Sequence, residues 1–222
     1  MKISNYNVLQ IKSEETYTWL LHKHYAKRLP NIMYAFGLYY YNNLVGVITY
    51  GKPSSNSLCI GVCGKKNAQY VIELNRLCLL NNKKNEASFL ISKSLKLLSK
   101  PKIVVSYADT SMNHNGYIYQ ATNFIYTGLS DKRTEWRVIG SNKHSKTITE
   151  QSTLKERKEQ TDKYEVVERP RKHRYIFFVA DKKTKKLFYS QLNYKILPYP
   201  KNISKKYDSG DKLTTQLIMS LE

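Results

Sequence analysis

The hydrophobic pattern alternates between short β-type runs and helical stretches. Ala35–Tyr41 and Leu44–Gly51 read as two strands, joined at Asn42-Asn43, where asparagine tolerates the positive φ of a tight turn. Val71–Leu80, VIELNRLCLL, reads as a central strand interrupted by Glu73, Asn75 and Arg76. Glu73 and Arg76 stand three apart on it, which on a regular strand puts them on opposite faces. A polar turn over Asn81–Asn85 leads into a helix from Glu86 to Ser99, stopped by Pro101. Ile103–Tyr107 reads as a short buried strand, Tyr117–Thr122 as a short helix and Phe124–Gly128 as a strand. Thr134–Ile139 is then expected to pair back across an Asp131-Lys132 turn. Upstream, Ser13 with Glu14 and Glu15 starts a helix through Trp19–Leu21 that ends near His24, ahead of Pro30. Residues 52–68 read as loop, with some strand at Leu58–Val62.

This order predicts an α/β (α+β) fold, a mixed central sheet flanked by helices. The catalytic core is expected over 1–140. Residues 141–222 are expected to form a basic C-terminal extension packed on it, with a helix near Thr153–Lys163 and a strand at Tyr175–Ala180. The prolyl-stiffened Leu197–Pro200 follows, and fraying is expected from 204.

Composition adds a partner. The formal net charge is +20, and the excess is spread along the chain rather than gathered in one tail. Residues 140–222 hold 19 Lys and Arg against 10 acidic residues, and the remainder 18 against 7. Such an excess points to a polyanion, nucleic acid above all, because lysines that neutralise phosphates release counterions. An anionic membrane surface and a plain lysine bias are the other readings. The 19 tyrosines are mainly sheet formers, with a few expected to stack on bases. With no apolar run long enough to span a bilayer and no leader-like opening, the chain is expected in the cytoplasm. Cys59, Cys63 and Cys78 read as packing residues in a reducing compartment.

The element order resembles the acetyltransferase-like GNAT superfamily, in which a bulged strand and the following helix N-terminus hold an acyl donor. That likeness would make Leu77, Asn85 and Ser88 cofactor-binding, although NNKKNEAS lacks the superfamily's phosphate-loop glycines. More narrowly, HYAKRLP, FGLYYYNNLVGVITYG, ELNRLCL and SYADTSMNHNGYIYQATNFIYTG resemble the phage Mom proteins, as does the KILPYPK tail with less weight. Those enzymes convert adenine in phage DNA to an N6-carbamoylmethyl form that shields it from host restriction. The resemblance implies a phage or prophage product working in the bacterial cytoplasm, with double-stranded DNA and a flipped adenine as partner.

Asp109, at the end of the IVVSY strand, would accept a hydrogen bond from N6 or act as base; by position alone it equally suits a turn cap. The superfamily likeness makes Tyr119 the candidate general acid, a core tyrosine being the other reading, and His24 would move a proton or bind a metal. Tyr25, Arg28, Glu73, Arg76, Ser106, His114 and Gln120 are expected to meet substrate. The donor is left open. An acyl-CoA type is compatible with the superfamily likeness, and His24 with Tyr25 offers part of an iron site. A conventional N-acetyltransferase acting on RNA, protein or a small amine, and a non-catalytic basic DNA-binding protein, are the alternatives.

Overall fold

The computed structural model describes residues 3–141 and 145–201. In chain order the elements begin with β1 (Tyr6–Ile11), a helical segment over residues 13–23, β2 (Tyr34–Tyr40) and β3 (Asn43–Gly51). They continue with α1 (Asn56–Cys63), β4 (Val71–Leu79), α2 (Glu86–Leu97), β5 (Lys102–Asp109), α3 (Tyr117–Gln120) and β6 (Ile125–Leu129). The last are β7 (Arg133–Val138), α4 (Ser145–Gln151), α5 (Leu154–Glu159), β8 (Tyr164–Arg169), β9 (Lys172–Val179) and α6 (Lys182–Ser190). A seven-stranded sheet runs β1-β2-β3-β4-β5-β9-β6. Only β4 and β5 pair in parallel, so the sheet is mixed, and the fold is α/β with helices on both faces.

Alternation along β5 separates the two layers. Val104 and Ala108 face the core under α2, with Leu90, Ile91 and Leu95. Ile103 and Val105 face the other side, under α1 and α6, with Val62, Cys63 and Phe188. The buried Tyr50 hydroxyl meets Ser94 Oγ at 2.7 Å and ties β3 to α2. The three cysteines are buried, and none is in a disulfide.

Several expectations need correction. The β2–β3 turn is Tyr41-Asn42, one residue early, with Tyr41 at φ 53°. Residues 56–63 form a helix rather than loop and strand. Ser55 caps it by accepting from Leu58 N at 3.3 Å, and Gly64, at φ 80°, ends it. Strand β7 pairs with β8 in a separate ribbon, not with β6. The reason is that both edges of β6 are taken. One pairs with β9, and the other is covered by the tail, where Leu197 N donates to Tyr126 O at 3.0 Å and Tyr199 Oη to Phe124 O at 2.7 Å. Strand β9, from beyond residue 140, lies inside the sheet between β5 and β6, so the sheet itself extends past that point. The expectation of fraying from 204 lies outside the described residues.

Replacing Tyr50 with Phe should lower unfolding free energy by about 1 kcal/mol, one buried hydrogen bond, with ring packing kept. Urea denaturation checks this, and an unchanged midpoint would contradict it.

Candidate functional site

Strands β4 and β5 stay paired only from Val71 with Ile103 to Glu73 with Val105. Beyond that they diverge, and the fork between them is a cleft with a cavity volume of about 210 Å³. Ser106 Oγ donates to Leu74 O at 3.1 Å just past the last paired residues. Ser106 is fully buried and braces the fork rather than lining it.

A bulge shapes the β4 wall. The register passes from Thr49 opposite Arg76 to Tyr50 opposite Leu74, which leaves Asn75 as the extra residue. Its side chain accepts from Thr49 Oγ1 at 2.6 Å and donates to Asn31 O at 2.9 Å. The inserted residue resets the alternation, so Glu73 and Arg76 both line the cleft, contrary to the expectation for a regular strand. Arg76 Nη1 donates to Asn75 O at 2.7 Å, while its buried Nε has no hydrogen-bond partner among the described residues. Burial raises the Glu73 carboxyl above the usual carboxylate range, against the pull of Arg76 and Lys172.

Asp109 closes β5 and caps the next turn, so the catalytic and the structural reading of this residue fall on the same side chain. One carboxylate oxygen accepts from Ser111 N at 3.0 Å and Ser111 Oγ at 2.7 Å. The other pairs with Lys172 Nζ at 2.9 Å. Burial pushes its pKa up, but Lys172 and Ser111 outweigh burial and hold it below the normal value. Lys172 was not anticipated. It comes from β9, whose register sets it directly opposite Asp109.

His24, Tyr25, Leu77, His114 and Tyr119 also line the cleft. The His24 ring stacks on Tyr25 at 4.5 Å between centroids. Burial, with Arg76 nearby, drives the His24 pKa down to about 3, so the ring is neutral. Its Nδ1 accepts from Ala26 N at 3.1 Å, which places the ring proton on Nε2. Burial raises the Tyr119 phenol to about 12, despite its hydrogen bond with Ser106. Gln120 lies behind the wall, where it donates to Tyr175 Oη at 3.1 Å and to Asn115 O at 3.2 Å. Arg28 is outside the cleft and pairs with Glu150 at 3.8 Å.

Asn85 and Ser88 are also outside it. At the start of α2, where an acyl donor's pyrophosphate would sit, the buried Glu86 carboxylate accepts from Lys83 N and from Tyr6 Oη, each at 2.8 Å. That carboxylate already sets a negative charge at the positive end of the helix, so these residues do not fit a second anion. Among the described residues no three His, Cys, Asp or Glu side chains group to hold a metal.

The Mom protein family model matches residues 5–201. The chain belongs to the Mom protein family. Among its relatives, the methylcarbamoylase mom of Escherichia phage Mu is 29% identical over 218 residues, covering 90% of this chain and 88% of that one. Solved structures include an N-acetyltransferase from Staphylococcus aureus Mu50, at TM-score 0.43 and 14% identity over 79% of this chain and 99% of that one. An aminoglycoside N(6')-acetyltransferase from Legionella pneumophila reaches 0.44 at 11% identity, over 82% and 96%. At those scores neither bears on the assignment, which rests on the match to the Mom family. Among the described residues no helix is long and apolar enough to cross a membrane.

Two predictions follow from the site's geometry. The His24 pKa falls from 6.5 to about 3 on folding, so its contribution to stability is complete above pH 6.5 and is lost as pH drops towards 3. His24→Asn should flatten the pH dependence of the urea midpoint in that window; parallel curves for variant and wild type would contradict this. Gly116 has φ 76°, and a Cβ there would stand 2.4 Å from the Tyr175 ring. Gly116→Ala should therefore cost about 2–3 kcal/mol by thermal unfolding.

Proposed function

We propose that this protein is a transferase that places a carbamoylmethyl group on the N6 amine of adenine in DNA, protecting phage DNA from restriction in the bacterial cytoplasm. The observation that carries this reading is the family match across residues 5–201, with a phage Mu relative named as a methylcarbamoylase. The cleft supports it chemically. N6 is a poor nucleophile, so the site must orient it and take its proton as the new N–C bond forms.

The two carboxylates divide that work by environment. Asp109, held by Lys172 and Ser111, stays ionised and keeps acceptor capacity on Oδ2 for a hydrogen bond from the N6 amine. Glu73 has no ion pair within 4.0 Å among the described residues and burial raises its pKa, which makes it the more basic of the two carboxylates and suits it to take the proton. Tyr119 keeps its phenolic proton and can deliver it to the leaving group. Neutral His24 and the stacked Tyr25 offer a donor and an aromatic face to the extruded base. The overall exchange replaces one N6 hydrogen with the carbamoylmethyl group, and the donor's leaving group departs with a proton. The buried Glu86 carboxylate at the α2 N-terminus argues against a pyrophosphate-bearing donor at that place.

Expression in a bacterial host, digestion of the DNA and mass spectrometry of the nucleosides should reveal an adenosine heavier by a carbamoylmethyl group. Glu73→Gln should lower that yield by about 10²–10⁴-fold, the usual weight of a general base, with Asp109→Asn losing about tenfold or more. Unmodified DNA with the wild-type protein would sink the reading. Full activity in Glu73→Gln would remove Glu73 as the base.

A further inference from the structure

The layer formed by α1, the turn after it and α6 carries charge that the cleft does not use. Residues 52–72 contain Lys52, Lys65 and Lys66 and no acidic residue. Helix α6 adds Lys182, Lys183 and Lys186 on its outward side, while Phe188 is buried beneath. All six lysines are exposed, and none is ion-paired among the described residues. The acidic residue at the start of α6, Asp181, is turned to capping, accepting from Thr184 N at 3.0 Å and Thr184 Oγ1 at 2.7 Å. The two segments form one surface. Asn67 Nδ2 donates to Gln191 Oε1 at 2.7 Å, and Asn193 N donates to Val62 O at 3.0 Å.

The β7–β8 ribbon is a contrast. There Glu135 engages Arg137 at 3.3 Å and Arg169 at 3.7 Å, so two of its three arginines are already partly neutralised.

Position ties the lysine layer to the cleft. Along β5, Ile103 and Val105 lie under α1 and α6, while Tyr107 and Asp109, next on the same face, line the cleft. Arg174, opposite Tyr107 on β9, stacks at 3.4 Å on the ring of Tyr194, just beyond α6. Lysine layer and cleft are therefore consecutive stretches of one face of the sheet.

We propose that this lysine face is the track that holds the phosphate backbone of duplex DNA beside the cleft. The inference rests on the DNA-modification reading above and adds to it the surface that grips the polymer. Free lysines with no local counter-charge gain most from phosphates, through counterion release. A nine-residue helix is about 13 Å long, close to four base-pair rises, so α6 can follow a short stretch of backbone. The exposed large apolar side chains on these two helices, Ile60, Leu187 and Tyr189, do not make the broad stripe that a membrane-surface helix needs.

The test is duplex binding by fluorescence anisotropy across a salt series. It compares wild type with a variant carrying Lys65→Gln, Lys66→Gln, Lys182→Gln, Lys183→Gln and Lys186→Gln. The slope of log Kd against log salt should fall by about 3–5, since each phosphate contact contributes about 0.9. Affinity at roughly 0.1 M salt should drop tenfold or more. A control with Lys155→Gln, Lys158→Gln and Lys163→Gln should change the slope by less than about 1. An unchanged slope in the five-site variant, while wild type binds and modifies DNA, overturns the lysine track and leaves the reading of the site standing. Equal slope loss in the control also overturns it, as does loss of binding to phosphatidylglycerol vesicles with DNA binding intact. A wild type that binds DNA through this face yet modifies no adenine would instead sink the reading of the site.

Discussion

The short run of parallel pairing between β4 and β5 is the constraint on which the site depends. After Glu73 and Val105 the two strands separate, and each is held from its outer edge alone. On the β5 side the solution is β9, which pairs along the whole of β5 from Lys102 to Asp109. On the β4 side it is β3, at the cost of one bulge clamped by Asn75 to Thr49 and Asn31. Ser106 braces the point of divergence. With both strands held from their outer edges, the space between them stays open, and backbone of β4 and β5 lines the cleft. The cleft is thus a consequence of pairing, not of a missing side chain.

The same arrangement separates the ionisable groups by environment. Asp109 lies at the end of β5, beside the one β9 lysine that the register can bring to it, and the turn it caps adds two more donors. Glu73 lies deeper, where desolvation outweighs Arg76 and Lys172. Two carboxylates in one cleft then take opposite shifts, the usual basis for giving them different tasks. His24, driven neutral by burial and with Nδ1 occupied, is left as a hydrogen-bond donor rather than a proton shuttle near pH 7.

Much of this was readable where local pattern decides. The β2–β3 hairpin, the central VIELNRLCLL strand, the helix after it and the IVVSY strand all appear close to where periodicity places them. Asp109, Tyr119, His24, Tyr25 and His114 do line one cleft. The failures share a cause, namely pairing between distant segments. Lys172 was invisible because only the β5–β9 register puts it against Asp109. The β7 partner was misjudged because nothing near Thr134 says that both edges of β6 are occupied. Glu73 and Arg76 were set on opposite faces because a bulge changes alternation, although a polar Asn75 inside an apolar run was a usable signal. The helix at Asn56–Cys63 was missed despite a serine cap and a closing glycine that both stand in the sequence.

The start of α2 connects the cleft to the lysine face. A glycine-poor NNKKNEAS turn and a buried Glu86 amount to the same physical statement, that the positive end of this helix is already neutralised from within the chain. A donor in the fork then has no pyrophosphate grip there to position it. Binding energy for ordering the reactants must come from somewhere else, and remote contacts are the ordinary source of it. On the reading proposed above, duplex DNA brings many phosphates, and the chain carries exposed lysines, without an ion pair among the described residues, on the same side of the sheet as the cleft. Contacts with that polymer would supply the energy that extracts the base and holds it against Asp109, while the small cleft has only to complete the chemistry.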